Sequence, residues 1–105
     1  MIKQMLVSQN ELQKQMKFCM GTGTAGAKEN LLGLIAETVE ALNELPWKPW
    51  KAGSKLNREA LILELVDVLQ FYCNVLNCLQ ITEADLKKAY EEKLAECYRR
   101  LANEQ

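Results

Sequence analysis

The stretch REALILELVDVLQFYCNVLNCLQI, residues 58–81, decides what kind of fold this chain adopts. Leu61, Ile62, Leu63, Leu65, Val66, Val68, Leu69, Phe71, Val75, Leu76 and Leu79 point in every direction around a helix. Such a helix must be covered on all sides, which places it at the centre of the molecule. Asn57 stands ready to cap its start. Two carboxylates, Glu64 and Asp67, interrupt the apolar surface.

Working outward, Thr82 and Asp85 form a capping-box signal, and Leu86, Tyr90, Leu94, Cys97 and Leu101 mark an amphipathic last helix. Upstream, PWKPWKAGSKL (46–56) holds two prolines, a glycine and a serine and reads as an ordered, irregular loop. Before it, KENLLGLIAETVEALNEL (28–45) is a helix with Leu31, Leu34, Ile35, Val39 and Leu42 on one face and Glu37, Glu40 and Glu44 on the other. Residues 2–20 repeat apolar side chains (Ile2, Met5, Leu6, Leu12, Met16, Cys19) at helical steps. The connection GTGTAG (21–26) fits G-x-G-x-x-G, yet no strand feeds it and no Gly-Lys-Ser/Thr follows, so it reads as a flexible linker rather than a phosphate cradle. The expectation is an all-α, four-helix domain spanning residues 1–105. Three helices are too few to enclose the fourth, so a homo-oligomer, a dimer or a dimer of dimers, is expected to complete the cover.

Thirteen Lys and Arg against fourteen Asp and Glu give a net charge of -1, which argues against a nucleic acid polymer as partner. No run reaches the roughly 18 uninterrupted apolar residues of a membrane span, and the N-terminus mixes polar residues throughout, unlike a signal peptide. A cytoplasmic protein without membrane attachment is expected. Cys19, Cys73, Cys78 and Cys97 form no C-x-x-C pair and read as free buried thiols. The absence of histidine removes histidine-based triads and most zinc chemistry, leaving carboxylates, lysines or a metal for any catalysis.

Glu64 and Asp67 lie three apart, hence on one side of their helix, and Glu37 and Glu40 repeat that step on the preceding helix. Packed antiparallel, the two helices bring four carboxylates together, and oxygen-only donors favour Mg²⁺, or Mn²⁺, over zinc. Close carboxylates in apolar surroundings resist ionisation unless a cation sits among them. Glu37 or Glu40, as the acid least used by the metal, is the candidate general base. Lys48, Lys51, Lys55 and Arg58 make a local positive run that either contacts phosphate or is simply solvated. Trp47 and Trp50 either touch a base or anchor their loop. Phe71, one turn beyond Asp67, either stacks on a base or packs in the core, and Asn74, one turn further, is placed to hydrogen-bond a sugar or base edge.

The pair ETVE (37–40) followed by ELVD (64–67) on consecutive helices resembles the all-α nucleoside triphosphate pyrophosphohydrolases: MazG-like enzymes, dCTP pyrophosphatases and dimeric dUTPases. ALNELPWKPWK (41–51) and MLVSQNELQ (5–13) resemble the dimeric dUTPase branch most, with Gln9 matching its glutamine and Gln13 standing for its asparagine. Gln70 stands where dUTPases often carry His, Ala36 where many MazG proteins carry Glu, and Cys97 replaces an Asn in the pattern of Tyr90, Lys93 and Arg100. The resemblance implies a MazG-like bundle and hydrolysis of a deoxynucleoside triphosphate to monophosphate and pyrophosphate, dUTP favoured over dCTP or dATP. It implies that Gln9, Gln13, Lys93 and Arg100 contact substrate, the last two across a subunit interface. A non-catalytic nucleotide-binding module or a plain oligomerisation protein of the same fold are the alternatives.

Overall fold

A computed structural model describes residues 1–16, 21–53 and 55–104. It contains four helices: α1 (Ile2–Gln15), α2 (Gly23–Asn43), α3 (Arg58–Cys78) and α4 (Glu83–Asn103). No strand occurs among the described residues. The all-α, four-helix architecture is as the sequence implies.

Two caps are those read from the sequence. Asn57 Oδ1 accepts from the Ala60 N–H at 3.1 Å and starts α3. Thr82 and Asp85 form a reciprocal capping box, and the Thr82 backbone and hydroxyl hydrogen bonds hold the Asp85 carboxyl below its ordinary range. Thr82→Ala is expected to cost about 1 kcal/mol, measured by urea unfolding, since one orphan N–H loses its acceptor.

The ends of the first two helices differ from expectation. α1 stops at Gln15, with Met16 extended, and the remaining residues of the expected helix, Cys19 among them, lie outside the described residues. α2 begins at Gly23 rather than near Lys28, so half of the glycine stretch is helix and only its start is a connection. Gly21 takes φ +90°, which a side-chain-bearing residue rarely adopts, and its carbonyl packs against Gly26. A Cβ on Gly26 would lie 2.4 Å from that oxygen. Thus Gly21 forms a turn packed on the first turn of α2, and Gly23 and Gly26 belong to the helix rather than to a linker.

α2 and α3 run antiparallel with an intimate interface. Gly33 sits under the Phe71 ring, Asn30 meets Asn74, and Gly26 meets Cys78, each pair one or two turns beyond the last in opposite chain directions. α1 crosses the other side of α3, where Leu6, Cys73 and Leu76 form the buried centre, with Ile2, Met5, Leu69 and Leu86 packed around it. Burial pushes the Cys73 thiol pKa up, as expected of an inert core cysteine. Cys78 is half-buried and Cys97 is exposed, so the expectation of uniformly buried thiols is corrected. Cys97 sits on a helix of which no residue is buried.

That helix, α4, docks only by its start. The Lys3 N–H donates to Glu83 at 2.7 Å and Leu86 joins the core, but no residue of α4 is buried. The radius of gyration is 17.2 Å, against about 13 Å for a compact chain of this length. α3 is long and apolar enough to cross a membrane by length and composition. A core helix passes the same test, and α3 lies between α1 and α2. Its cover is nevertheless incomplete: Leu63 is 68% and Leu65 50% exposed.

Candidate functional site

The interface between α2 and α3 is built from small and polar residues, and this composition positions the acids. Gly26, Asn30, Gly33 and Glu37 recur every three or four residues along α2, while Leu31, Leu32, Ile35 and Val39 turn outward and are 47–60% exposed. With no Cβ at Gly33, the two backbones approach across the Phe71 ring. Glu37 is thereby brought opposite Glu64 and Asp67.

One carboxylate oxygen each from Glu37, Glu64 and Asp67 lies within 4.8 Å of the other two, and all three residues are half-buried. Partial burial raises the Glu64 pKa most, followed by the charges of Asp67, Glu37, Glu40 and Glu44. Among the described residues, no Lys or Arg pairs with any of the three: the ion pairs are Glu11–Lys14, Lys28–Glu29 and Glu96 with Arg99 and Arg100. Three hard oxygen donors, converging and uncompensated, fit a divalent cation of the Mg²⁺ class. Glu40 is exposed and outside this trio, yet near enough to act on Glu64.

The other sequence candidates fall in three places. Trp47 and Trp50 pack edge to face, 5.9 Å between centroids, and Lys48 Nζ lies 5.4 Å from the Trp47 ring. With Lys51 this loop lines a small cavity at the end of α2 nearest Glu44. Trp50 remains 74% exposed. Phe71 packs on Gly33, one turn from Asp67. Further along, Gln9 Nε2 donates to Asn74 Oδ1 at 3.1 Å, and Asn74 and Asn30 line a cavity of about 200 Å³ with Gln13 and Lys14. Gln13 itself donates to Met16 Sδ at 3.5 Å. Lys93 and Arg100 are exposed on α4, with Arg100 held by Glu96 at 3.1 Å, and the chain alone does not bring them to the acids.

Asn30 escaped the sequence reading. It is only 2% exposed and bonds to Asn74, Gly26 and Cys78. The signal was present, because Asn30 shares the stripe of Gly26, Gly33 and Glu37, where an amide facing the interface needs partners.

A model of the dUTPase family matches residues 1–105. Neither a curated protein nor a solved structure matches the chain significantly. The fold, the paired acids across α2 and α3, and a family match over the full length agree: the chain belongs to the all-α dUTPase family, and at family level it is a nucleoside triphosphate hydrolase.

Proposed function

We propose that this protein hydrolyses dUTP to dUMP and pyrophosphate with Mg²⁺, or Mn²⁺, as cofactor. The observation that carries this is the convergence of Glu37, Glu64 and Asp67 with no cationic partner among the described residues. The cation bound among them supplies positive charge to the triphosphate and makes a water more acidic.

The chain's own groups do the rest. Glu37, Glu64 and Asp67 hold the cation, and Glu40, outside the trio, takes the proton of the attacking water, with Glu37 the other carboxylate placed for this. Water attacks the α-phosphorus and the bond to the bridging oxygen of the β-phosphate breaks, releasing pyrophosphate. Lys48 and Lys51 meet the leaving phosphates from the loop, and Trp47 and Trp50 shield them from solvent. Phe71, braced on Gly33, lies one turn beyond the acids, and the nucleoside beyond it is met by the amides: Gln9 at the groove between α1 and α3, with Gln13 and Asn74 behind it. Incubation with dUTP, dCTP, dATP, dTTP and dGTP plus Mg²⁺ tests the proposal: pyrophosphate release fastest from dUTP is expected, and no release from any nucleotide overturns it.

The functional unit is a cytoplasmic homo-oligomer in which the single domain is completed by a second copy. The outward leucine stripe of α2, the exposed side of α3 and the uncovered α4 support this reading. A second copy would also carry Lys93 and Arg100 toward a neighbour's triphosphate. Light scattering is expected to give at least twice the 12.0 kDa chain mass; a 12.0 kDa species at micromolar concentration overturns it.

A further inference from the structure

Three carboxamides, one from each of three helices, form a buried chain. Gln9 Nε2 donates to Asn74 Oδ1 at 3.1 Å, Asn74 Nδ2 donates to Asn30 Oδ1 at 3.1 Å, and Asn30 Nδ2 donates to the Gly26 carbonyl at 2.8 Å. Their exposures are 8%, 5% and 2%. The direction of this chain follows from chemistry. A carboxamide has one accepting end and one donating end, and the Gly26 carbonyl only accepts. Asn30 must turn its NH₂ toward Gly26, which turns its oxygen to Asn74, which in turn presents its own oxygen to Gln9. The Cys78 thiol reinforces the direction, since it takes a weak hydrogen bond from Asn30 Nδ2 at 3.7 Å and donates to the Gly21 carbonyl at 3.7 Å. At the far end Gln9 spends its NH₂ on Asn74, and its Oε1 accepts no hydrogen bond among the described residues.

Gln9 lines a groove of about 330 Å³ between α1 and α3, together with Gln70, one helical turn from Asp67. We propose that Asn30 is a positioning residue that, through Asn74, locks Gln9 with its carbonyl as the free end, so that the base accepted beside it must offer a ring N–H. This rests on the reading of the protein as a dUTP hydrolase. Uracil in a nucleotide has a single N–H, at N3, whereas the cytosine N3 is a bare acceptor and meets the Gln9 oxygen with repulsion. Asn30 touches no substrate; it acts by removing the freedom of two amides to flip.

The test compares kcat/KM for dUTP and dCTP in two variants. Asn30→Ser keeps a donor for the Gly26 carbonyl, as Thr38 Oγ1 does for Leu34 at 2.7 Å, but is too short to reach Asn74. It is expected to shrink the dUTP-to-dCTP ratio roughly tenfold, the worth of one oriented hydrogen bond. Asn30→Asp still accepts from Asn74 and therefore preserves the direction; its ratio is expected to stay at the wild-type value although its Tm falls. A merely structural role predicts that both variants lose activity toward both nucleotides equally. An unchanged ratio in Asn30→Ser, or a collapsed ratio in Asn30→Asp, overturns the proposal. So does a wild type that takes dCTP as readily as dUTP. A wild type with no turnover of any nucleotide instead overturns the proposed function, and this inference with it.

Discussion

Asp67→Asn is expected to lower pyrophosphate release by about a thousandfold while raising the Tm of the metal-free protein. The first effect follows because a cation that stabilises the transition state by several kcal/mol loses the negative charge of one of its three close carboxylates, a neutral amide being a much poorer ligand. The second follows because the Glu64 pKa is raised partly by the Asp67 charge, so the substitution removes a repulsion. The pH dependence has a definite sign. A carboxyl whose pKa is raised by folding contributes stability that is fully present below its unfolded pKa and is lost as pH rises through the folded value. Without a divalent cation, the wild type should therefore melt lower above the raised Glu64 pKa than at the acid edge of that window. Mg²⁺ binds the ionised form and reverses the loss, so its stabilising effect fades as pH falls through the same window. Circular dichroism melts across this range, with and without Mg²⁺, measure both arms. A variant with wild-type turnover, or a Tm that falls on substitution, would break the assignment of these acids to one cation site.

Gly33→Ala is expected to damage both stability and turnover although it adds a single methyl group. An added Cβ would run into the ring of Phe71, which projects from α3 one turn beyond Asp67. Replacing a helical glycine gains about 1 kcal/mol of propensity, whereas overpacking a tight contact costs about 1–3 kcal/mol, so the loss wins. The more telling consequence is functional. Either the ring or the helix must shift, and the oxygens of Glu37, Glu64 and Asp67 then spread beyond the 4.8 Å that gathers them. Chemical denaturation should show reduced stability, and turnover should fall more than stability explains. Phe71→Leu in the Gly33→Ala background is expected to recover part of both. If Gly33→Ala alone is as active as wild type, the close approach of α2 and α3 does not govern the site.

Periodicity and capping chemistry made much of this fold legible. The uniformly apolar 58–81 stretch, the Asn57 and Thr82–Asp85 caps and the lack of any alternating pattern are local properties, and they returned four helices in the right order. Of the four acids read from their three-residue steps, Glu37, Glu64 and Asp67 converge and Glu40 stays exposed, because a shared helix face does not decide which of its residues meets the neighbouring helix. The start of α2 was not legible, because Gly23, Thr24 and Gly26 are poor helix formers and the contact of Gly26 with the Gly21 carbonyl and Cys78 is a tertiary one.

The sequence by itself determined the helices, their order and which side chains share a face, because these depend on neighbours within four residues. Only the tertiary structure decided that the glycine-and-acid stripe of α2, rather than its leucine stripe, meets α3, and so gathers Glu37, Glu64 and Asp67 and leaves Glu40 outside. Both stripes are regular at helical spacing, and nothing local chooses between them. The choice comes from fit: Gly33 gives Phe71 room, Asn30 finds Asn74, and the leucine stripe is left open for a surface that the single chain does not supply.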